Sequence, residues 1–193
     1  MLTAKGLLSA RPRQGTIVQP SESWNLFDGD VLRWLLERPF APDLLIHFSQ
    51  LRLAIEPEAA ALAAVNDDPQ AGIAIRAGLD RMKAAAKGED EAFDADMAFH
   101  SAIMIAASNP FFLQLQAFVS TALKSSIRLT NKVKGELASI RDHEKVAWAI
   151  DCGDADGARQ AMRMLVQEVI DVLRSLQSDN GGLSRDDANA RIT

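Results

Sequence analysis

From Pro42 onward, apolar residues recur three and four positions apart almost without interruption, the spacing that lines one face of an α-helix. The stretch "PDLLIHFSQLRLAIEPEAAALAAV" is typical, and prolines and glycines cut the remainder into segments of similar length. Proline suits the first turn of a helix and glycine the residue beyond its end. Pro42, Pro69 and Pro110 on one side, and Gly88, Gly135 and Gly153 on the other, therefore predict helices over 42–65, 69–87, 89–107, 110–134, 136–151 and 154–177. Pro57 should kink the first of these or split it after Glu56. A shorter helix is expected in "DVLRWLLE", capped by Asp30 and carrying Val31, Leu32, Trp34, Leu35 and Leu36. Short breaks between helices favour antiparallel neighbours, so the expected fold is all-α, an antiparallel bundle of six to seven helices.

Residues 1–20 break this pattern. Apolar pairs flank a basic turn in "LLSARPRQGTIV", which reads as two short strands of a β-hairpin. The stretch holds Lys5, Arg11 and Arg13 and no acid, and it is too small to fold alone. Residues 21–29 read as a polar linker, 30–177 as the helical domain, and 178–193, "SDNGGLSRDDANARIT", as a disordered tail.

Composition narrows the partners. The 193 residues include 21 basic and 26 acidic side chains, a net charge of −5, so any contact with DNA must be local rather than spread over the surface. A single cysteine, Cys152, leaves no internal disulfide and fits a reducing compartment. Without an apolar run of membrane length or a signal-peptide pattern, the expected location is cytoplasmic, with no membrane partner.

Only three histidines are present, His47, His100 and His143. In "DADMAFH", Asp96 and His100 are four apart and share a helix face; His143 lies beside the apolar stripe of Ile140, Val146, Ala147 and Ile150. One carboxylate and two imidazoles suit zinc, nickel, manganese or iron, yet the same spacing also fits a plain hydrogen bond. His47, between Ile46 and Phe48, reads as a partly buried packing residue. Arg52 and Glu56 read as an i,i+4 ion pair, although an arginine on the inner side of a bundle is also a bidentate partner for a carboxylate. Ser125, Ser126, Arg128, Thr130 and Asn131 make "KSSIRLTNK" either a solvated face or the lining of a polar cavity. Phosphate loops, nucleophile elbows and zinc-protease motifs are missing from the sequence, and Cys152 beside Gly153 is a helix-end residue, so binding is favoured over catalysis. The alternatives are an enzyme with a metal triad of Asp96, His100 and His143, and a dimerisation module without a ligand.

The succession "QLRLAIEPEAAALAA", "DADMAFHSAIMIAASNPFFLQL" and "DHEKVAWAIDCGDADGARQAM" resembles the FCD effector-binding domain of FadR-type regulators in the GntR family, over residues 30–177. The connector "WNLFDGDVLRWLLE" resembles the sugar-acid branch of that family. The resemblance implies a homodimeric transcription regulator, most simply a repressor, whose bundle senses a small carboxylate, a sugar acid such as galactonate. It implies effector contacts at Arg52, Asp96, His100, Ser125, Asn131 and His143, and a divalent metal (Zn, Ni or Mn) on Asp96, His100 and His143. The family's fourth ligand falls on Leu165, which cannot coordinate, with Glu168 one turn on as a substitute. The resemblance further reads residues 1–20 as the wing of a winged helix-turn-helix whose recognition helix would lie upstream of Met1. Operator DNA is then a partner only of a full-length form, with Arg11 and Arg13 making weak contacts here.

Overall fold

The structure is a computed structural model and describes residues 1–11, 13, 15–36, 42–66, 68–116, 118–120 and 140–189. Strands β1 (Leu8–Arg11) and β2 (Gly15–Val18) form an antiparallel hairpin in which Leu8 faces Val18 and Arg11 faces Gly15. Its turn is possible because Arg13 and Gly15 both adopt positive φ. The hairpin is tied to its flanking segments on both sides. Gln19 donates its amide to Leu7 O, Asn25 donates to Lys5 O, and the Trp24 indole donates to Gln19 O.

Helix α1 (Gly29–Leu36) is capped differently from expectation. Asp28 Oδ1 accepts from the amides of Asp30 and Val31, so Asp28 holds the capping position and Asp30 sits within the first turn. Lys5 Nζ reaches both carboxylates, 2.5 Å from Asp28 and 2.9 Å from Asp30, and lies 5.7 Å from the centre of the Trp34 ring. The hairpin is thereby clamped to the start of α1.

The bundle consists of α2 (Pro42–Asn66), α3 (Pro69–Ala85), α4 (Ala92–Ala106), α5 with described residues 110–116 and 118–120, α6 (Ile140–Asp151) and α7 (Ala155–Asn189). Asp68 accepts from the amide of Gln70 and Pro69 opens α3, so the sequence signals for that start are used as expected. Helix α3 ends two residues and α4 starts three residues inside the expected bounds, and two other expectations differ more. Pro57 does not split α2, because it removes only one backbone hydrogen bond while Glu56, Ala59 and Ala60 around it are fully buried and hold the helix together. Helix α7 runs to Asn189, past position 177 and through residues expected to form a disordered tail. Extending an anchored helix through Gly181 and Gly182 costs only about 1 kcal/mol per glycine, far less than nucleating a new one.

Helices α2 and α7 are antiparallel, as shown by ion pairing of Glu58 with Arg159 near one end and the hydrogen bond of Gln177 to Asp43 near the other. Helices α3 and α4 form an antiparallel pair in which Gly78 lies directly against the backbone of Phe99. Helix α4, however, runs parallel to α2: Glu56 meets His100, and Asn66 donates to Ala106 O. The main core joins α2, α3, α4, α6 and α7 through residues such as Ile75, Phe99, Ile103, Val146, Met162 and Val166. A second apolar layer seats Leu32 of α1 on Phe48, Val119, Phe93 and Met97. These two layers bracket a buried polar cluster.

Candidate functional site

Helix α2 carries Ser49, Arg52 and Glu56 at i, i+3 and i+7, within roughly 60° of arc on one face. That face is turned into the bundle, where Arg52 is 2% and Glu56 1% exposed. The pair is side-on: Arg52 Nε lies 2.5 Å from Glu56 Oε1 and Nη2 lies 3.1 Å from Oε2. Arg52 Nη1 takes no part in it. Helix α4 supplies Asp96 and His100, one turn apart, and the first turn of α6 supplies His143; all three are buried.

The cluster is continuous. His100 Nδ1 lies 2.8 Å from Glu56 Oε2, while its Nε2 faces Asp96 Oδ1 at 3.9 Å. His143 Nε2 approaches the same Asp96 oxygen to 3.0 Å. Phe99 packs edge-on against both imidazoles, with ring centres 5.7 Å from His100 and 5.0 Å from His143, and the two imidazoles are nearly perpendicular to each other. The rings are thus held by their apolar flanks as well as by their polar edges.

Burial alone would push the Glu56 carboxyl upward, but Arg52 and His100 outweigh it and leave it lowered to about 2. The same contest holds Asp96 below its ordinary value: burial raises it, and His100, His143 and Arg52 bring it down. Both carboxylates are therefore ionised. Against them stand the Arg52 guanidinium and the edges of the two imidazoles, in a site shielded from water.

Asp96, His100 and His143 each offer one ligand atom, all within 4.8 Å of one another. Asp96 Oδ1 thus lies 3.0 Å from His143 Nε2 and 3.9 Å from His100 Nε2. One carboxylate oxygen and two imidazole nitrogens gathered at this spacing are a donor set that fits a divalent cation. Glu56 Oε2 lies 2.8 Å from the other nitrogen of His100, where a carboxylate steadies a ligating imidazole by its charge.

Arg52, Asp96, His100 and His143 are thus brought together from three helices. Ser125 and Asn131, with Ser126 and Thr130, lie outside the described residues. Arg11 and Arg13 are exposed at the turn end of the hairpin. Leu165 is buried in the main core, and Glu168 is exposed on α7, in a surface groove with Asp142 and Asp171, so it does not complete the ligand set. His47, expected to be partly buried, is exposed: the α2 stripe of Leu45, Phe48 and Ser49 leaves it on the outer face. Glu56 as a site member was not legible beyond its spacing from Arg52.

The family model for the FCD domain matches residues 47–168, well over half the chain and every residue of this cluster. The chain belongs to the FCD family of GntR-type transcriptional regulators. This FCD protein is 29% identical, over 169 residues, to the galactonate operon transcriptional repressor of Escherichia coli K12, covering 86% of this chain and 73% of the repressor. It is 30% identical over 171 residues to the HTH-type transcriptional regulator YieP of the same organism, covering 86% and 72%. Among solved structures, a GntR protein of Streptococcus agalactiae superposes with a TM-score of 0.58 at 20% identity, over 88% of this chain and 76% of that one. Escherichia coli McbR/YncC superposes with a TM-score of 0.61 at 17% identity, over 91% and 80%. At those identities the likeness speaks to the fold. Among the described residues no helix is long and apolar enough to cross a membrane.

Proposed function

We propose that this FCD protein is a metabolite-responsive transcriptional regulator, acting as a homodimer, in which Asp96, His100 and His143 hold a divalent cation and a small carboxylate completes the site. A sugar acid such as galactonate is the effector favoured by the likeness to the galactonate operon repressor. The observation that carries this reading is the burial of one carboxylate oxygen and two imidazole nitrogens within 4.8 Å of one another. Zinc, nickel or manganese suits that donor set, and the cation would supply the positive charge that an incoming carboxylate needs. Arg52 offers its Nη1 edge to the acid while Glu56 keeps the rest of the guanidinium in place. Glu56, ionised and held on two sides, is a poor proton acceptor near neutral pH, which supports binding over turnover.

The apolar layer beside the site gives the signal a route. Phe48 precedes Ser49, Met97 follows Asp96, and both pack with Leu32 of α1, whose first turn is clamped to Lys5 at the base of the hairpin. A ligand that draws α2 and α4 into a new spacing would re-aim α1 and the hairpin with its exposed Arg11 and Arg13. Couplings of this kind amount to about 1–3 kcal/mol, set entirely by the ligand's preference for one arrangement.

The test is elemental analysis of purified protein, followed by thermal unfolding with D-galactonate before and after chelation. Galactonate at 100 times its Kd should stabilise by about 2.7 kcal/mol, roughly 5–11 °C in a chain of this size. Less than about a tenth of an equivalent of metal after reconstitution, in native and Asp96→Ala protein alike, would defeat the metal assignment. Light scattering that gives only monomer would defeat the dimer.

A further inference from the structure

One buried polar atom lies beside this site and takes no part in its network. Ser49 is 0% exposed, and its Oγ has no hydrogen-bond partner among the described residues. A serine inside a helix ordinarily turns its hydroxyl back onto the carbonyl four residues earlier or out to water. Ser49 does neither. Leaving a buried hydroxyl unmatched is costly, so such a group calls for a partner that completes it.

Its place in the fold shows where that partner would be. Ser49 is one turn before Arg52 on the inward stripe of α2, a rise of about 4.5 Å along the axis. Because α2 and α4 run parallel, with Glu56 at the level of His100, the turn holding Ser49 lies at the level of the turn of α4 that begins at Phe93 and ends at Asp96 and Met97. Phe48, its neighbour, packs in the layer that contains Phe93, Met97 and Val119, which closes the site on that side. The hydroxyl therefore stands at the end of the polar cluster opposite Glu56, beyond the guanidinium.

Resting on the carboxylate reading of this site, we propose that Ser49 is an effector-selecting residue: its Oγ hydrogen-bonds a hydroxyl on C2 or C3 of the bound acid, while Arg52 takes the carboxylate. The two residues stand one turn apart on α2, on the scale of the few ångströms between a carboxylate and a hydroxyl one or two carbons away. Ser49 thus distinguishes hydroxy acids from their deoxy counterparts, a choice that the guanidinium cannot make; a cation that chelates the C2 hydroxyl adds to the preference, but equally in native protein and Ser49→Ala. A hydroxyl both donates and accepts, so the same atom serves either orientation of the ligand oxygen.

The experiment is isothermal titration of the native protein and Ser49→Ala with propionate, lactate, 3-hydroxypropionate and D-galactonate, paired with thermal unfolding of both without ligand. Native protein should prefer at least one of the hydroxy acids to propionate. Ser49→Ala should lose about tenfold in affinity for that acid and leave propionate unchanged, the scale of one net hydrogen bond. Without ligand, Ser49→Ala should unfold at the same temperature as the native chain or higher, since an unmatched hydroxyl has been removed. Equal affinity of the two proteins for every acid the native chain binds overturns the inference alone. A fall of several degrees in ligand-free Ser49→Ala also overturns it, by making Ser49 a packing residue. If native protein binds none of the four acids, the carboxylate reading fails and this inference with it.

Discussion

Replacing Glu56 by alanine should cost the ligand-free, chelated protein about 3–5 kcal/mol, the scale for removing one partner of a buried ion pair. The structure places this case at the severe end. Arg52 is 2% exposed and has its Nε and Nη2 on the two oxygens of Glu56, so truncation strands a guanidinium that water cannot reach. Asp96 offers some relief, since it already lies within the field of Arg52, and that keeps the expected loss within the range rather than above it. In a chain of this length the loss corresponds to roughly 6–20 °C in Tm. Glu56→Gln keeps the shape and an acceptor but gives up the charge, and should lose about 1.5–3 kcal/mol. The informative control is Arg52→Met combined with Glu56→Leu. Two apolar side chains of similar volume need no counter-charge, so the double variant should recover to within about 1 kcal/mol of native stability or exceed it, while binding no carboxylate. Urea unfolding followed by circular dichroism measures all three. A Glu56→Ala loss below about 1 kcal/mol would show that Arg52 is solvated or otherwise satisfied, and a double variant as unstable as Glu56→Ala would show that the two residues do not act as a pair.

Two further outcomes rest on packing and charge elsewhere. A Cβ at Gly78 would come within 2.8 Å of the backbone N and Cα of Phe99, so Gly78→Ala should force α3 and α4 apart and cost about 1–3 kcal/mol; an unchanged Tm would contradict that contact. The Lys5 clamp should be acid-sensitive only below the usual carboxylate range. Hydrogen bonding to Lys5 is the main cause that holds Asp28 and Asp30 below their ordinary 3.8. A depressed folded-state pKa contributes stability that is fully present above 3.8 and is lost as pH falls through the lower folded-state value. Trp34 fluorescence should accordingly stay flat from pH 7 to 5 and change only below about 4; a transition centred above pH 5 that is absent in Lys5→Ala would refute the clamp.

The legible parts of the fold were those set by local rules. Helix starts at Pro42 and Pro69 and the turns at Gly88 and Gly153, both at positive φ, are decided within a few residues. Tertiary context decided what local rules could not. Pro57 stays inside α2 because both flanks of that turn are buried, and the parallel course of α2 and α4 follows from which faces pair, about which loop length is silent. The site divides in the same way. Asp96 and His100 are legible from spacing, and His143 from its position beside the stripe of Val146 and Ile150. Glu56 looked like half of a surface ion pair, because i,i+4 spacing reports who touches whom and not how deep the contact lies. Ser49 left no signal at all: a lone serine between Phe48 and Gln50 belongs to no motif, and only its unmatched hydroxyl in the folded chain marks it.

Leu165 and Glu168 show why counting turns is not enough, and they lead to a last prediction. The buried stripe of α7 runs through Met162, Leu165, Val166, Ile170 and Leu173, and Glu168 falls roughly 120° from its centre, so one turn on from Leu165 leads out of the bundle. With no fourth ligand side chain among the described residues, a cation on Asp96, His100 and His143 would depend on the effector's oxygens for part of its coordination, and the acid would depend on the cation for its counter-charge. Binding free energies must then be coupled reciprocally. Titrating zinc in the presence and absence of saturating D-galactonate, and galactonate with and without zinc, should give the same factor of enhancement, on the order of 5–150-fold. Leu165→His should strengthen zinc binding without the acid and shrink that factor. Equal zinc affinity with and without galactonate, in a protein that binds both, would mean that cation and acid occupy separate places and that the acid is held by protein groups alone.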